Sequence, residues 1–573
     1  MALVGGATGC AGAARVAESP AVEVPVADRA LRYQVRYEPG ALAITLRLTG
    51  DASGQTALSV PTSWAGQSRF NESIEGLSAT TGGGIPVAIS PGDGPGRRIL
   101  THAPGEALEV RYRVHEPHRE MRPLDRRLWP YLAAEYFTFL GHAALIGPAR
   151  GEALPVPITL EWEGLPESWS LANSFGAGER RQEITQSLSN LRHAVFTAGD
   201  FRLTQVDVRG RPVQVAIRGA WRFTDAAFVG LVQKVLTAER AFWADDDFPF
   251  YLVTLQPLGS CCAYGGSGLS NSFAMTVASD QGLGPHMTHL LTHETFHAWN
   301  GQRIRREAPE EQHYWFSEGF TNYYARLLSL RAGLLDLRGY AADLDEALYR
   351  YTTSPNKNAP LASSREAFWK DEAGHRLPYD RGDLLAVEWN ARIRARSAGR
   401  ASLDDFMRDF LSSARDRGTL VSAESVDALL RPYLPEGVAD EIERVNVRGE
   451  SLEPRPDALG PCFSLERRKR DSFSLGFARS TLDTHVVTGL EPGGPADRAG
   501  LREGQRIVAF HFAWNDPAEL VKARVRDSRG EHDVTFYPRG PAIDVPFYRL
   551  DEKRYIQDPA ACLAWFGVDK PND

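Results

Sequence analysis

The stretch THETFHAWNG, residues 292–301, places two histidines four positions apart, with a glutamate directly after the first. On a helix, residues four apart lie on one face, so His293 and His297 can point both imidazoles at one metal ion. Zinc bound by two histidines and one carboxylate keeps a fourth position for water. Glu294 can then take the proton of that water during attack on a carbonyl and pass it to the leaving amine. The spacing therefore predicts a hydrolytic zinc centre.

A third ligand has to come from another element, and Glu318 in WFSEGFTNYY, early in the next predicted helix, is the strongest candidate. Glu318 follows His297 by 21 residues and has aromatic neighbours. A carboxylate in such a setting is costly to bury unless it is paired or bound to a cation. The competing donors all lie in the polar loop RREAPEEQH, where solvated charges are expected: Glu307, Glu310, Glu311 and His313.

HETFHAWN followed by WFSEGFTNYY resembles the glycyl aminopeptidase family of gluzincin metallopeptidases. The resemblance implies one zinc ion per chain, held by His293, His297 and Glu318, with Glu294 as general base. It also implies an N-terminal β domain, a thermolysin-like catalytic domain and a C-terminal PDZ domain. The predicted activity is hydrolysis of peptides, of aminopeptidase type, at small N-terminal residues such as Gly or Ala.

Two more site residues follow from this resemblance. LPYDRGDLLAVEWN is similar to the family's Tyr-x-Lys-Gly segment, with Arg381 in place of the lysine. It nominates Tyr379, expected in a loop just before a helix, as hydrogen-bond donor to the developing oxyanion. Trp299 and Asn300 are expected at the end of the histidine-bearing helix. Asn300 is either a hydrogen-bond partner behind the metal ligands or a helix cap.

One stretch departs from the family pattern. In YGGSGLSNSFAM, residues 264–275, Gly265 and Gly266 match the family's substrate-binding strand, but Gly268 replaces its glutamate and Leu269 its histidine. That glutamate grips the free ammonium of the substrate, and an ammonium buried without a partner is unfavourable. Either another acid binds the amine, or the protein is an endopeptidase or a peptidase for blocked peptides. The glycines still allow close approach of substrate to an edge strand.

The remaining chain predicts a multidomain α+β protein. Residues 1–24 read as a disordered or lipoprotein-like tether. Residues 25–209 alternate polar and apolar positions and predict a β-sandwich-like domain, beginning with a hairpin at ALRYQVRYEPGALAITLRLTG. Residues 210–460 predict the zinc peptidase domain. Its C-terminal half is mainly helical, and an earlier helix begins near Thr224 or Asp225.

Residues 461–573 are predicted to form a PDZ-like domain and a tail. SLGF at 474–477, the Pro-Ala-x-x-Ala-Gly-Leu turn and the following strand carry this resemblance. Such domains bind the C-terminal end of a peptide as an added strand. Cys462 and Cys562 bracket this part of the chain and could form a disulfide if the protein is exported.

Composition and charge narrow the partners. The 573 residues carry a net charge of -8 and have 43% hydrophobic residues, as in globular proteins. This mild acidity argues against a nucleic-acid partner, and no apolar run predicts a membrane span. ATGC before Ala11 resembles a lipoprotein box, so a lipid anchor at Cys10 and a bacterial periplasmic or outer-membrane location are predicted. The alternative is a cytoplasmic protein.

Two other functions remain open at this point. The same zinc chemistry would serve an epoxide or amide hydrolase. A non-catalytic protein that binds peptides through its PDZ-like domain would have lost Glu294 or a ligand, and all four residues are present.

Overall fold

The computed structural model describes residues 30–118, 126–149, 151–248, 250–258, 264–362, 372–514, 516–528 and 530–568. The predicted tether at 1–24, which contains Cys10, lies outside the described residues. Cys261 and Cys262, which are neighbours in sequence, also lie outside them. The chain divides into two units. The first is Met1–Glu120, Leu128–Leu171 and Gly178–His193, and the second is Met121–Arg127, Ala172–Ala177 and Ala194–Asp573. The predicted division into a tether and three domains stays a prediction.

The first unit begins with the predicted hairpin. Strands Leu31–Glu38 and Ala41–Thr49 pair antiparallel, and Glu38 stands opposite Ala41. Gly40 in the turn has a φ of +80°, which glycine adopts without steric cost. The alternation of polar and apolar residues is therefore a true strand pattern, and the hairpin prediction is confirmed.

Two larger sheets are described in the first unit. The six-stranded sheet has the order Arg181–Ser187, Pro155–Glu163, Leu31–Glu38, Ala41–Thr49, Ala107–His115, Ile74–Thr81. The four-stranded sheet has the order Gly147–Pro148, Gln55–Ser59, Arg97–Thr101, Ala88–Pro91. The β character predicted for this part is confirmed, and its sandwich-like packing stays a prediction.

The second unit has a five-stranded mixed sheet with Tyr264–Leu269 at one of its two edges. Its order is Arg202–Val208, Arg211–Ile217, Tyr251–Pro257, Ser272–Val277, Tyr264–Leu269. We call Tyr264–Leu269 the edge strand, since within the part of the chain that the structure describes it pairs with Ser272–Val277 alone, antiparallel. The glycine-rich stretch singled out above thus lies at a sheet edge, as predicted.

Helix Asp225–Trp243 connects two parallel strands of this sheet, as a crossover must. The Thr224 side chain caps it by accepting a hydrogen bond from the Ala227 N–H at 3.2 Å. The predicted helix start is therefore confirmed.

The following part is helical, as predicted, and shares one apolar core with the sheet. Its longer helices are Pro285–Phe296, Phe320–Arg331, Leu337–Thr353, Glu372–Ser397, Leu403–Arg417 and Ala423–Leu430. Ala439–Ile442 is a short helix. Among the described residues, none of the helices combines the length and apolar character needed to cross a bilayer.

The chain after Cys462 is joined to the helical part in two ways, through a two-stranded ribbon and through residues around a disulfide. The ribbon of strands Phe463–Phe473 and Arg539–Leu550 contacts helix Leu337–Thr353, where Tyr548 N donates to Asp345 Oδ1 at 2.9 Å. Cys462 and Cys562 form a disulfide, and both are buried in the core that contains those helices. The helices Glu552–Gln557 and Pro559–Ala564 follow.

Between the two ribbon strands, the chain buries a separate small core that includes Leu475, Val487, Val525 and Phe536. It contains helices Ser480–Thr484 and Pro495–Arg498 and the antiparallel sheet Arg506–His511, Val521–Asp527, Gly530–Phe536. The described residues between Phe473 and Arg506 form no strand. An added peptide strand therefore finds no partner strand directly after Phe477, and the PDZ-like assignment stays a prediction.

Candidate metal centre

His293 and His297 lie at the C-terminal end of helix Pro285–Phe296, which we call the histidine helix. Pro285 occupies its first turn, where a missing N–H costs little. His297 directly follows the last helical residue and keeps right-handed dihedrals, with φ −62° and ψ −15°. The two Nε2 atoms consequently lie 3.1 Å apart. The structure thus brings the two predicted histidine ligands to one point.

Glu318 completes the cluster from the next element. It lies in a five-residue π-helical turn, Trp315–Gly319, which leads directly into helix Phe320–Arg331. We call it the glutamate turn; the sequence predicted an ordinary helix start here. Glu318 Oε2 is 3.4 Å from His293 Nε2 and 3.3 Å from His297 Nε2. Single π turns are frequent at functional sites because they redirect one side chain.

The cluster is strongly coupled electrostatically. Burial alone would raise the pKa of Glu318, but the two imidazoles hold it well below its usual value. Burial lowers the pKa of His297, and the Glu318 carboxylate outweighs it and raises that pKa to about 9. A buried carboxylate that stays ionised between two imidazoles is a ready metal ligand.

Among the described residues, His293, His297 and Glu318 are the group of three side chains whose donor atoms lie within 4.8 Å of one another. The competing donors of the polar loop are not in it; Glu310, for example, pairs with Arg306 at 2.8 Å. Two imidazole nitrogens and one carboxylate oxygen are the donor set of a catalytic zinc site. The residues present therefore fit zinc.

The outer nitrogen of each imidazole has its own partner, which leaves the Nε2 atoms to face Glu318. His293 Nδ1 lies 2.8 Å from Asn322 Oδ1, and His297 Nδ1 lies 2.9 Å from the Asn300 carbonyl oxygen. An acceptor at Nδ1 fixes the ring and the tautomer that leaves Nε2 free for a metal.

Asn322 was not identified from the sequence. Its Oδ1 also lies 3.2 Å from Nε2 of His289, whose pKa burial lowers to about 4. The spacing in the sequence could have indicated Asn322, because it comes one helical turn after Glu318 and so faces the same side of the helix as that ligand. His289 therefore packs behind the site as a neutral ring that shares this amide oxygen.

Asn300 is a connecting residue, not a helix cap. Its fully buried amide nitrogen lies 3.3 Å and 3.2 Å from the carbonyl oxygens of Phe316 and Ser317, and 3.1 Å from Thr321 Oγ1. The backbone of Asn300 meanwhile accepts from His297. One residue thus ties the end of the histidine helix to the glutamate turn. Trp299 at the same end is buried and donates to Asp245 Oδ2 at 2.9 Å.

Glu294, the predicted general base, is partly exposed and faces the edge strand. Its Oε2 accepts a hydrogen bond from the Gly268 N–H at 3.2 Å. Glu294 is therefore outside the three-ligand cluster but directly beside it, held by a backbone donor.

Tyr379 lies inside helix Glu372–Ser397, which we call the tyrosine helix, and not in a loop before it. The expectation of a loop was wrong because the helix continues through Pro378, although a proline removes one backbone donor and crowds the carbonyl four residues before it. The Tyr379 ring stacks on His293 with centroids 5.9 Å apart. Burial and the nearby Glu318 and Glu294 carboxylates hold the pKa of Tyr379 well above its usual value. Arg381 is fully buried and donates to the Lys357 carbonyl at 2.8 Å.

The residues predicted to bind substrate on the edge strand point to two opposite faces of the sheet. Successive side chains of a strand point to opposite sides. Position 268 faces Glu294, whereas the Leu269 side chain is fully buried and its carbonyl accepts from Gln302 Nε2 at 2.8 Å. The Leu269 side chain is thus turned into the protein, and the predicted part of Leu269 in substrate binding stays a prediction. Gly265 and Gly266 lie on the same edge strand, and a Cβ on Gly266 would overlap the Phe273 ring.

Comparison with known proteins agrees with this geometry. Residues 286–378, which include His293, His297, the glutamate turn and Pro378, match the model of the M61 glycyl aminopeptidase family. The match ends one residue before Tyr379.

Solved structures share the fold. A crystal structure of an aminopeptidase N family protein from Idiomarina loihiensis has a TM-score of 0.71 at 16% identity, covering 94% of this chain and 100% of that one. The M1 zinc metallopeptidase from Deinococcus radiodurans has a TM-score of 0.50 at 18% identity, covering 74% of this chain and 95% of that one.

Proposed function

We propose that this protein hydrolyses peptide bonds with one zinc ion per chain, because residues 286–378 match the model of the M61 glycyl aminopeptidase family. His293, His297 and Glu318 would hold the ion. The observation that carries this proposal is the convergence of their three donor atoms within 4.8 Å. The M1 relative from Deinococcus radiodurans is itself described as a zinc metallopeptidase.

Zinc in such a site activates water for attack on a carbonyl. Glu294 would act as the general base that accepts a proton from the attacking water and delivers it to the leaving amine. Its carboxylate is held at 3.2 Å by the Gly268 N–H, so one oxygen is fixed by the edge strand. The other oxygen remains for the proton.

Tyr379 supplies the donor for the negative charge that develops on the carbonyl oxygen. Burial and the two carboxylates keep its phenol protonated by raising its pKa. A hydrogen bond aimed at an oxyanion is among the largest single contributions to such catalysis. Stacking on His293 keeps the ring beside the ligand cluster.

The substrate would lie along the edge strand and pair with its backbone, as peptides do on sheet edges, while the Gly268 N–H stays with Glu294. Gly265 and Gly266 permit this close approach. The match to a glycyl aminopeptidase model favours peptides with small N-terminal residues such as Gly or Ala. The glycine at 268 favours the alternative of internal or blocked peptides.

Two further proposals concern other parts of the chain. We propose export with a lipid on Cys10, which mass spectrometry of the mature N-terminus would test. Binding of a peptide C-terminus near Leu475 to Phe477 rests on the PDZ resemblance. Titration of the protein with a fluorescent C-terminal peptide and with its amidated form would test it, since carboxylate recognition requires the free acid.

The catalytic proposal is tested with a pool of Gly/Ala-rich peptides, both free and N-acetylated, read by mass spectrometry. We expect zinc-dependent cleavage by the wild type, and a loss of more than about 1000-fold in Glu294→Gln with zinc still bound. Glu307→Gln is the matched control, because Glu307 is an exposed acid of the polar loop. Equal cleavage by wild type and Glu294→Gln would contradict the proposal.

A further inference from the structure

Position 268 lies directly over the catalytic residues. A Cβ on Gly268 would be 3.1 Å from the Glu294 carbonyl oxygen, 3.5 Å from His297 Cβ and 3.6 Å from Glu294 Oε2. Gly268 is not among the residues with positive φ, so its backbone does not require glycine. The missing side chain therefore determines what the site offers to the substrate residue that precedes the cleaved bond.

A free ammonium at this place needs a carboxylate, since an unpaired buried charge is costly. Among the described residues, Glu294 has a carboxylate oxygen 3.6 Å from the Cβ position of residue 268, and Glu318 lies behind it on the two imidazoles. Glu318 faces both imidazoles, and Glu294 is held by the Gly268 N–H. Each of these carboxylates is thus already assigned to the metal or to the water, and neither is left for an amine.

The end of the edge strand is neutral as well. The Leu269 carbonyl is taken by the Gln302 amide, and the Leu269 side chain is buried. The strand thus passes the catalytic residues without a charged side chain at 268 or 269. Position 268 therefore offers no side-chain charge to a free ammonium of the substrate.

We propose that the substrates are peptides without a free ammonium on the residue before the cleaved bond, that is, internal bonds of longer peptides or N-blocked peptides. This inference rests on the proposed function and narrows its substrate class. One C–N bond breaks and one water is consumed. The acyl part leaves as a carboxylate with the oxygen of the water, and both protons of the water pass to the nitrogen, which leaves as an ammonium.

The first test compares one Gly/Ala-rich peptide in free and N-acetylated forms, cut by the wild type and read by mass spectrometry. We expect internal cleavage of the acetylated form, with kcat/KM about 100-fold above first-bond cleavage of the free form. Cleavage of only the first bond of the free form would overturn the inference and leave the proposed function standing. Cleavage of neither form would overturn both.

The second test restores the family's glutamate. Gly268→Glu should gain first-bond cleavage of the free peptide and lose cleavage of the acetylated one, whereas Gly268→Gln, with the same size and no charge, should not gain it. Both variants add a Cβ that is tight against the Glu294 carbonyl oxygen, so both carry the same steric cost. Zinc content and thermal unfolding are therefore measured for each of them. An equal gain in Gly268→Gln, or no gain in a folded, zinc-loaded Gly268→Glu, would contradict the inference.

Discussion

Gly319 and Gly382 put the glutamate turn and the tyrosine helix in direct backbone contact. A Cβ on Gly382 would lie 2.8 Å from the Gly319 Cα and would overlap the Trp315 carbonyl oxygen. A Cβ on Gly319 would in turn overlap the backbone of Gly382. The two glycines therefore set the separation between Glu318, one residue before the contact, and Tyr379, three residues before it.

Because the two backbones touch, we expect that one added methyl group at Gly382 lowers the activity strongly. Gly382→Ala should force the two elements apart and lower kcat by about 100-fold or more, since small misplacements of catalytic groups cost that much. Gly230→Ala is the control, because Gly230 lies in helix Asp225–Trp243 with no atom within 4 Å of its Cβ position. It should keep activity and gain about 0.5–1 kcal/mol in the free energy of unfolding. Wild-type kcat in Gly382→Ala would refute the contact's role.

Asn322 should control zinc affinity. Its Oδ1 is the acceptor for His293 Nδ1 at 2.8 Å, so Asn322→Ala leaves that imidazole without its orienting partner. We expect the zinc Kd to rise about 10- to 100-fold. Asn322→Asp keeps an oxygen at this place and should stay close to the wild type. Competition with a chromophoric chelator measures both; unchanged affinity in Asn322→Ala would show that His293 is oriented by other contacts.

Tyr379→Phe should separate catalysis from binding. The variant keeps the ring on His293 and removes the hydroxyl group. We expect kcat to fall about 100- to 1000-fold, with little change in KM or zinc content. Steady-state kinetics and metal analysis check this, and a fall in zinc content with unchanged kcat per zinc would assign Tyr379 a structural part instead.

Asp345 predicts a pH dependence of stability at the C-terminal ribbon. Burial raises its pKa to about 6, although it accepts from Tyr548 N. In an unfolded chain the value is about 3.9, so between these two values the folded state binds more protons and its stability falls as pH rises. Asp345→Asn keeps the acceptor and removes this ionisation. The variant should therefore gain about 1–3 kcal/mol relative to the wild type between pH 4 and pH 7. Denaturant unfolding at several pH values measures it, and a constant difference would contradict the assignment.

The sequence was most informative where the relevant interactions are local. The hairpin around Gly40 and the start of the helix at Thr224 depend on neighbours a few residues away, and both predictions are confirmed. The four-residue spacing of His293 and His297 likewise predicts their proximity, because helix geometry determines it. The roles of these residues stay predictions until metal and activity are measured.

Features that depend on distant partners were not predicted. The glutamate turn is π-helical, and the carbonyl groups of its residues Phe316 and Ser317 accept hydrogen bonds from Asn300, which follows the histidine helix. Asn322 orients His293 only because helix Phe320–Arg331 packs against the histidine helix. The tyrosine helix runs through Pro378, against the usual preference, in a packed core where Gly382 contacts Gly319. Local rules on proline and helix starts say nothing about such contacts.

The most direct measurement is a zinc titration of the metal-free protein, followed by peptide cleavage. We predict that activity is absent without metal, rises in proportion to added zinc and levels off at about one ion per chain, as for a single three-ligand site. The same titration of Glu318→Ala should give no such plateau. Full activity in the metal-free protein, or an unchanged titration in Glu318→Ala, would contradict the assignment of His293, His297 and Glu318 as the centre of this enzyme.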